Sequence, residues 1–197
     1  MANRNRLRYR KEKSSMMQNL ERYLKPDLYC ESLDDLDLKK LYHDGYRLLL
    51  IDVDNTLASH GSFEADDYAQ RAIKRARDIG FDCRIVSNAG HRRIKSYAES
   101  LRMPYTALAN KPSVRAILDA CADSGIQPKQ SVMVGDQILT DVMSAHRAGA
   151  LAVLVRPRAR QEAVNVRFKR LIERWLFRHF KLGGTTDSPE YQNQNED

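Results

Sequence analysis

Short aliphatic runs alternate with longer amphipathic stretches along most of this chain. The runs within 46–54 ("YRLLLIDVD"), 81–90 ("FDCRIVSNAG"), 105–109 ("YTALA"), 130–137 ("QSVMVGDQ") and 151–157 ("LAVLVRP") have the length of strands and end in turn-forming residues. Between them, 64–80, 91–103, 112–125 and 138–150 carry apolar residues at helical spacing. Gly80 closes the first of these helices, and Pro112 is expected to start the third. Residues 14–44 read as a helical lead-in in two pieces. In the second, Ser32 is expected to cap, Asp34 and Asp35 suit the first turn, and Gly45 suits the end. Strands that alternate with helices in this way make βαβ units, so the expected fold is α/β: a three-layer, doubly wound, Rossmann-like parallel sheet.

Length and composition then bound the picture. The 197 residues suit a basic extension (1–13), one domain (14–181, core 46–157) and a polar, acidic tail (182–197) that is expected to be disordered. No apolar run approaches the roughly 18–20 residues that cross a bilayer, so no transmembrane segment is expected. "MANRNRLRYRKEK" is basic without an apolar stretch behind it, which argues against a secretory leader, and Glu12 argues against an organelle transit peptide. Cys30, Cys83 and Cys121 are odd in number and far apart, as in reduced structural thiols of a cytoplasmic protein. The net charge of +7 is uneven: residues 1–13 carry +5, 156–181 carry +7 and 182–197 carry −4, which leaves the body near neutral. Basic ends point to contact with an anionic membrane, RNA or a ribosome, or serve solubility alone.

The chemistry gathers where strands end. In an open α/β sheet, ligands bind beyond the carboxyl ends of the strands. There stand Asp52, Asp54, Asn55 and Thr56, then Ser87 and Asn88, then Asn110 and Lys111, then Gly135, Asp136, Thr140 and Asp141. Taken singly, an Asp at a strand end is a turn former and a Ser a helix cap. Jointly, Asp52 and Asp136, helped by Asp141, offer hard oxygen ligands suited to Mg²⁺. A carboxylate can attack phosphorus to give an aspartyl-phosphate. A second carboxyl can protonate the leaving oxygen and later deprotonate water. Lys111 supplies fixed positive charge for phosphoryl oxygens, and Ser87 with turn amides supplies hydrogen bonds.

These residues resemble the four motifs of the haloacid dehalogenase (HAD) superfamily: "DVDNTL" (52–57), "SNAG" (87–90), Lys111 in "NKPS", and "GDQILTD" (135–141). The resemblance implies Asp52 as nucleophile and Asp54 as acid/base, with the Asp54 carbonyl also on Mg²⁺. It implies Thr56, Ser87, Asn88 and Lys111 as phosphate-binding, and Asp52, Asp54, Asp136 and Asp141 as the metal set. Asn55 stands where many relatives have Gly. More narrowly, "YLKPDLYCESLDDLDLKKLYHDGYRLLLIDVDNTL", "SNAGHRR" and "VGDQILTDVMSAHRAGALAVLVRP" are similar to the YqeG family, HAD subfamily IIIA phosphatases akin to phosphatidylglycerophosphate phosphatases. That implies a hydrolase of phospholipid metabolism, with a phosphorylated lipid or another large phosphate-bearing body as substrate.

Spacing narrows the substrate further. Thirty residues lie between Thr56 and Ser87, and 22 between Asn88 and Lys111, which a helix and a strand nearly fill. No large cap domain fits, so the rim should be open, suiting a phosphate carried on a lipid, a protein or a nucleic acid end, unless a partner subunit forms a lid. The segment 161–180 sets Val164, Phe168, Leu171, Ile172, Trp175 and His179 on one helical face and Arg167, Arg170, Arg174 and Arg178 beside it. It reads either as a terminal helix packed on the sheet or as a basic interfacial helix at a membrane. His91, Arg92 and Arg93 are ordinary surface or contacts for a second phosphate. The competing functional reading is an RNA- or ribosome-associated factor with the same fold. The expected location is cytoplasmic, peripheral to the membrane if the basic helix binds lipid.

Overall fold

The computed structural model describes residues 21–158 and 178–179. The expected basic extension 1–13, the start of the lead-in, almost all of the helix at 161–180 and the tail 182–197 lie outside the described residues. Six parallel strands form one sheet in the order β1-β6-β5-β2-β3-β4. They are β1 (Leu28–Cys30), β2 (Leu48–Ile51), β3 (Asp82–Val86), β4 (Tyr105–Thr106), β5 (Ser131–Gly135) and β6 (Leu151–Val155). The helices are α1 (Leu38–His43), α2 (Asp67–Ile79), α3 (His91–Leu101), α4 (Arg115–Ser124) and α5 (Met143–Ala148).

The central strand shows why the chain adopts three layers. Leu48, Leu49, Leu50 and Ile51 are all buried, as a strand covered on both faces requires. Side chains alternate along it. Leu49 and Ile51 join the core shared with α1, α2 and α3, while Leu48 and Leu50 join the core shared with α4 and α5. From β2 the chain runs outward to β3 and β4, then returns to β5, β6 and finally abuts β1. The order reverses beside β2, and that switch point opens a crevice at the strands' carboxyl ends. Short connections leave it open: residues 52–66 join β2 to α2, and residues 87–90 join β3 to α3.

Local chemistry departs from the sequence reading in three places. "LYC" pairs with β6 as an edge strand instead of continuing a helical lead-in, with the Asp27 amide donating to Ala152 O at 2.9 Å. Three residues carry too little periodicity to reveal a strand. Asp37, and not Ser32, caps α1 by accepting from the Lys40 amide at 2.9 Å, while the Ser32 hydroxyl turns to Asp35 at 2.6 Å. Pro112 lies in a turn closed by the Ser113 amide on Asn110 O, and α4 begins three residues beyond it. Elsewhere the punctuation matches: Gly80 ends α2 at φ +114°, and Gly45 follows α1 at φ +100°.

Gly80 also has no room for a side chain. An added Cβ would lie 2.8 Å from the Tyr42 hydroxyl, whose ring is pinned edge-on against Phe81 and beneath the Arg47 guanidinium. Gly80→Ala should therefore lower unfolding free energy by about 2 kcal/mol in a denaturant titration, combining left-handed strain with overpacking.

Candidate active site

The site begins where β2 stops. The Asp52 amide still donates to Val134 O at 2.9 Å, so Asp52 is the last residue held by the ladder. The chain then winds around one carbonyl: Val53 O accepts from the amides of Thr56, Leu57 and Ala58. Asn55 takes φ +60°, a conformation that Asn tolerates better than most residues and Gly tolerates freely. Buried Val53 and Leu57 anchor the turn. Arg158, three residues past β6, clasps it from above. Its amide donates to Asn55 O at 2.9 Å, and its guanidinium donates to Leu57 O and to Asp66, 2.7 Å away, while lying over the Tyr68 ring. Arg158 was not legible as a site residue, because its role depends on the return of the last strand.

Two other loops bring their polar groups to Asp52. The Lys111 ammonium donates to Asp52 at 2.8 Å and to Val86 O at 2.7 Å, and it sits 2.6 Å from Asp141. Carboxylate oxygens of Asp52, Asp136 and Asp141 all lie within 4.8 Å of one another. All four side chains are buried; Lys111 and Asp52 are only 5% and 4% exposed. Asp141 reaches the cluster from a π-helical turn, Ile138–Val142, and also accepts from the Gln137 amide at 3.1 Å. It packs so closely on β5 that a Cβ on Gly135 would meet its carboxyl carbon at 2.3 Å, which requires glycine there.

The electrostatics follow from this crowding. Burial above all pushes the Asp52 carboxyl up to about 6; Lys111 pulls it down, while Asp141 and Asp54 push it further up. Burial alone would lower Lys111, but Asp141 and Asp52 outweigh it and hold the ammonium above its ordinary value. Three carboxylates against one ammonium leave a formal excess of two negative charges, the charge of one divalent cation. The donor set also fits: these are hard oxygens, and two ligands of one Mg²⁺ stand up to about 4 Å apart. Asp52, Asp136 and Asp141 are therefore the residues that could hold such an ion.

The remaining expected residues divide. Thr56 Oγ1 and Asn55 Oδ1 are buried and have no hydrogen-bond partner among the described residues, which leaves them for a ligand. Ser87 Oγ accepts from the Ala89 amide at 3.3 Å. Asn88 is instead committed to Lys111: its amide donates to Lys111 O at 3.0 Å and its carbonyl accepts from the Lys111 amide at 2.7 Å. Its side chain thus positions the lysine, a role the sequence did not reveal. The Asp54 carboxylate stays outside the acidic trio. Arg93 holds both of its oxygens, His60 lies 3.2 Å away and the Gly61 amide 3.4 Å. Arg93, read from sequence as surface or a second-phosphate contact, is thus partnered to Asp54.

Removing the lysine should expose the cost of the cluster. Lys111→Met strands buried carboxylates without their counter-charge and should lower stability by about 3 kcal/mol in cation-free buffer. Without the lysine's pull, the folded pKa of Asp52 rises further above its unfolded value, so the penalty is full at pH 8 and shrinks as pH falls towards 5. Thermal unfolding of both proteins across that range in EDTA checks it.

Several known proteins are similar to this chain. A family model described as HAD-hydrolase-like matches residues 108–165. The chain is 29% identical over 165 residues to the probable phosphatase YqeG of Bacillus subtilis, covering 84% of this chain and 96% of that one. It is 27% identical over 170 residues to a chloroplastic phosphatidylglycerophosphate phosphatase 1 of Chlamydomonas reinhardtii, covering 80% of this chain and 63% of that one. Among solved structures, a Xanthomonas campestris protein superposes with a TM-score of 0.49 at 19% identity, over 62% of this chain and 72% of its own. The chain is thus similar over most of its length to the probable phosphatase YqeG, and within residues 108–165 to the HAD-like hydrolases.

Proposed function

We propose that the protein is a Mg²⁺-dependent phosphomonoesterase that works through an aspartyl-phosphate on Asp52, and that its favoured substrate is phosphatidylglycerophosphate. The observation that carries this reading is the buried trio of Asp52, Asp136 and Asp141 around the Lys111 ammonium. Held by those carboxylates and the Asp54 carbonyl, Mg²⁺ would offset their repulsion and withdraw charge from a phosphoryl oxygen. An Asp52 oxygen bonds to phosphorus as the bond from phosphorus to the leaving alcohol breaks. Lys111, Thr56 and Ser87 meet the charge on the phosphoryl oxygens. Asp54 gives its proton to the departing oxygen, then takes one from the water that displaces Asp52 and frees inorganic phosphate. Arg93 and His60 hold Asp54 at the mouth, between the reacting centre and solvent.

The substrate assignment rests on two supports. The described residues contain no cap between β2 and α2 or between β3 and α3, so a large body can present its phosphate to the rim. The similar algal protein is a phosphatase of that lipid by name. Action on a lipid goes with a cytoplasmic protein peripheral to the membrane; no helix among the described residues is long and apolar enough to cross one. The RNA or ribosome reading rests on the basic ends, which lie outside the described residues, and nothing at the site favours it.

Asp52→Asn should reduce phosphate release from phosphatidylglycerophosphate in mixed micelles by at least about 10³-fold while leaving the fold intact by circular dichroism. Wild-type protein that releases no phosphate from lipid, nucleotide and phosphopeptide panels would end the enzymatic reading. Mg²⁺ should raise the melting temperature, and EDTA should reverse the effect. Because Asp52 titrates at about 6 in the cation-free site, the ion must displace a proton below that pH, so the increment should be larger at pH 7.5 than at pH 5.

A further inference from the structure

Two large apolar side chains stand exposed at the open rim, and one of them does so against its backbone. Leu108 is 66% exposed and sits at φ +50°, in the left-handed region that disfavours a branched side chain. The neighbouring left-handed positions at the rim, Asn55 and Asn110, carry the residue that tolerates this conformation. At Leu108 the backbone calls for Asn or Gly and the exposure calls for a polar group, yet the chain places leucine. Phe63 is 50% exposed on the loop between β2 and α2.

The two residues bracket the first turn of α3. The Leu108 amide donates to Ala89 O at 3.0 Å, just before the helix, and Ser62 O, next to Phe63, accepts from Arg93 within it. Between them His91 and Arg92 are exposed, and Arg92 pairs with no acid among the described residues. His60 is exposed on the same loop as Phe63. Apolar side chains flanking the Arg92 guanidinium suit a surface that is greasy inside and negatively charged outside.

We infer that this rim docks on an anionic lipid bilayer, with Phe63 and Leu108 entering the headgroup layer and Arg92 meeting anionic headgroups. The sunken Lys111 and Asp52 then face the membrane, and a lipid phosphate reaches them without leaving the bilayer. The inference extends the open-rim phosphatase reading, but its test does not depend on turnover.

The full-length chain has one tryptophan, Trp175. In a Trp175→Phe background, Leu108→Trp and Phe63→Trp each place an indole at the rim, and Leu28→Trp places one on β1, at the opposite edge of the sheet. With phosphatidylglycerol vesicles, emission from both rim variants should shift to the blue and be quenched by acyl-brominated lipid. The β1 variant should stay unchanged, and phosphatidylcholine vesicles should leave all three unchanged. In the otherwise native chain, Leu108→Ser should weaken partitioning about tenfold without altering hydrolysis of soluble p-nitrophenyl phosphate. Binding without a rim shift would mean docking through another surface and would overturn the inference. So would absence of binding, or a concentration-dependent shift without vesicles, which would mark self-association. Docking by a protein that hydrolyses nothing would remove the phosphatase reading and leave the docking surface standing.

Discussion

Three carboxylates buried at one end of a parallel sheet repel each other and lose their hydration, and the fold depends on having something cationic among them. Lys111 supplies that charge from within. Its ammonium bridges Asp52 and Asp141, and Val86 O accepts its remaining bond. Such a cluster is a poor source of stability, because desolvation offsets most of the attraction. It is therefore better understood as a site prepared for charge than as a structural staple. The excess of two negative charges leaves room for a divalent cation, and the unpartnered Thr56 hydroxyl leaves a donor for an arriving oxygen.

Holding that arrangement takes more residues than make it up. Asn88 fixes the Lys111 backbone with two reciprocal hydrogen bonds. Gly135 yields the space that Asp141 fills, and Arg158 ties the turn after Asp52 to the start of α2. Each support comes from a different loop, so the geometry is a property of the sheet that gathers those loops. The doubly wound order puts β3 and β5 on either side of β2. Among the described residues, short connections leave that crevice open.

Much of this was legible in the chain. The run Leu48–Ile51 followed by Asp52 announces a buried strand ending in an acid, because only a covered strand is aliphatic on both faces. The order of acids, serine and lysine after successive strands then places them at one end of the sheet, where parallel strands must all terminate together. Glycines at the ends of α1 and α2 were readable for the same local reason: a left-handed residue closes a helix most easily without a side chain. Signals fixed by neighbours in sequence thus determined most of the elements, the fold class and the identity of the clustered residues.

The tertiary structure alone decided how these residues divide their work. Asp52 and Asp54 stand two positions apart in one motif, yet one meets Lys111 in the buried trio and the other is held by Arg93 at the mouth. The Asn88 side chain supports the Lys111 backbone from another loop, a role that no local pattern announces. The strand character of Leu28–Cys30 comes from pairing with β6, more than 120 residues away along the chain. Composition and periodicity record what each side chain prefers from its near neighbours. Which distant partner satisfies it depends on distances that exist only once the sheet has assembled.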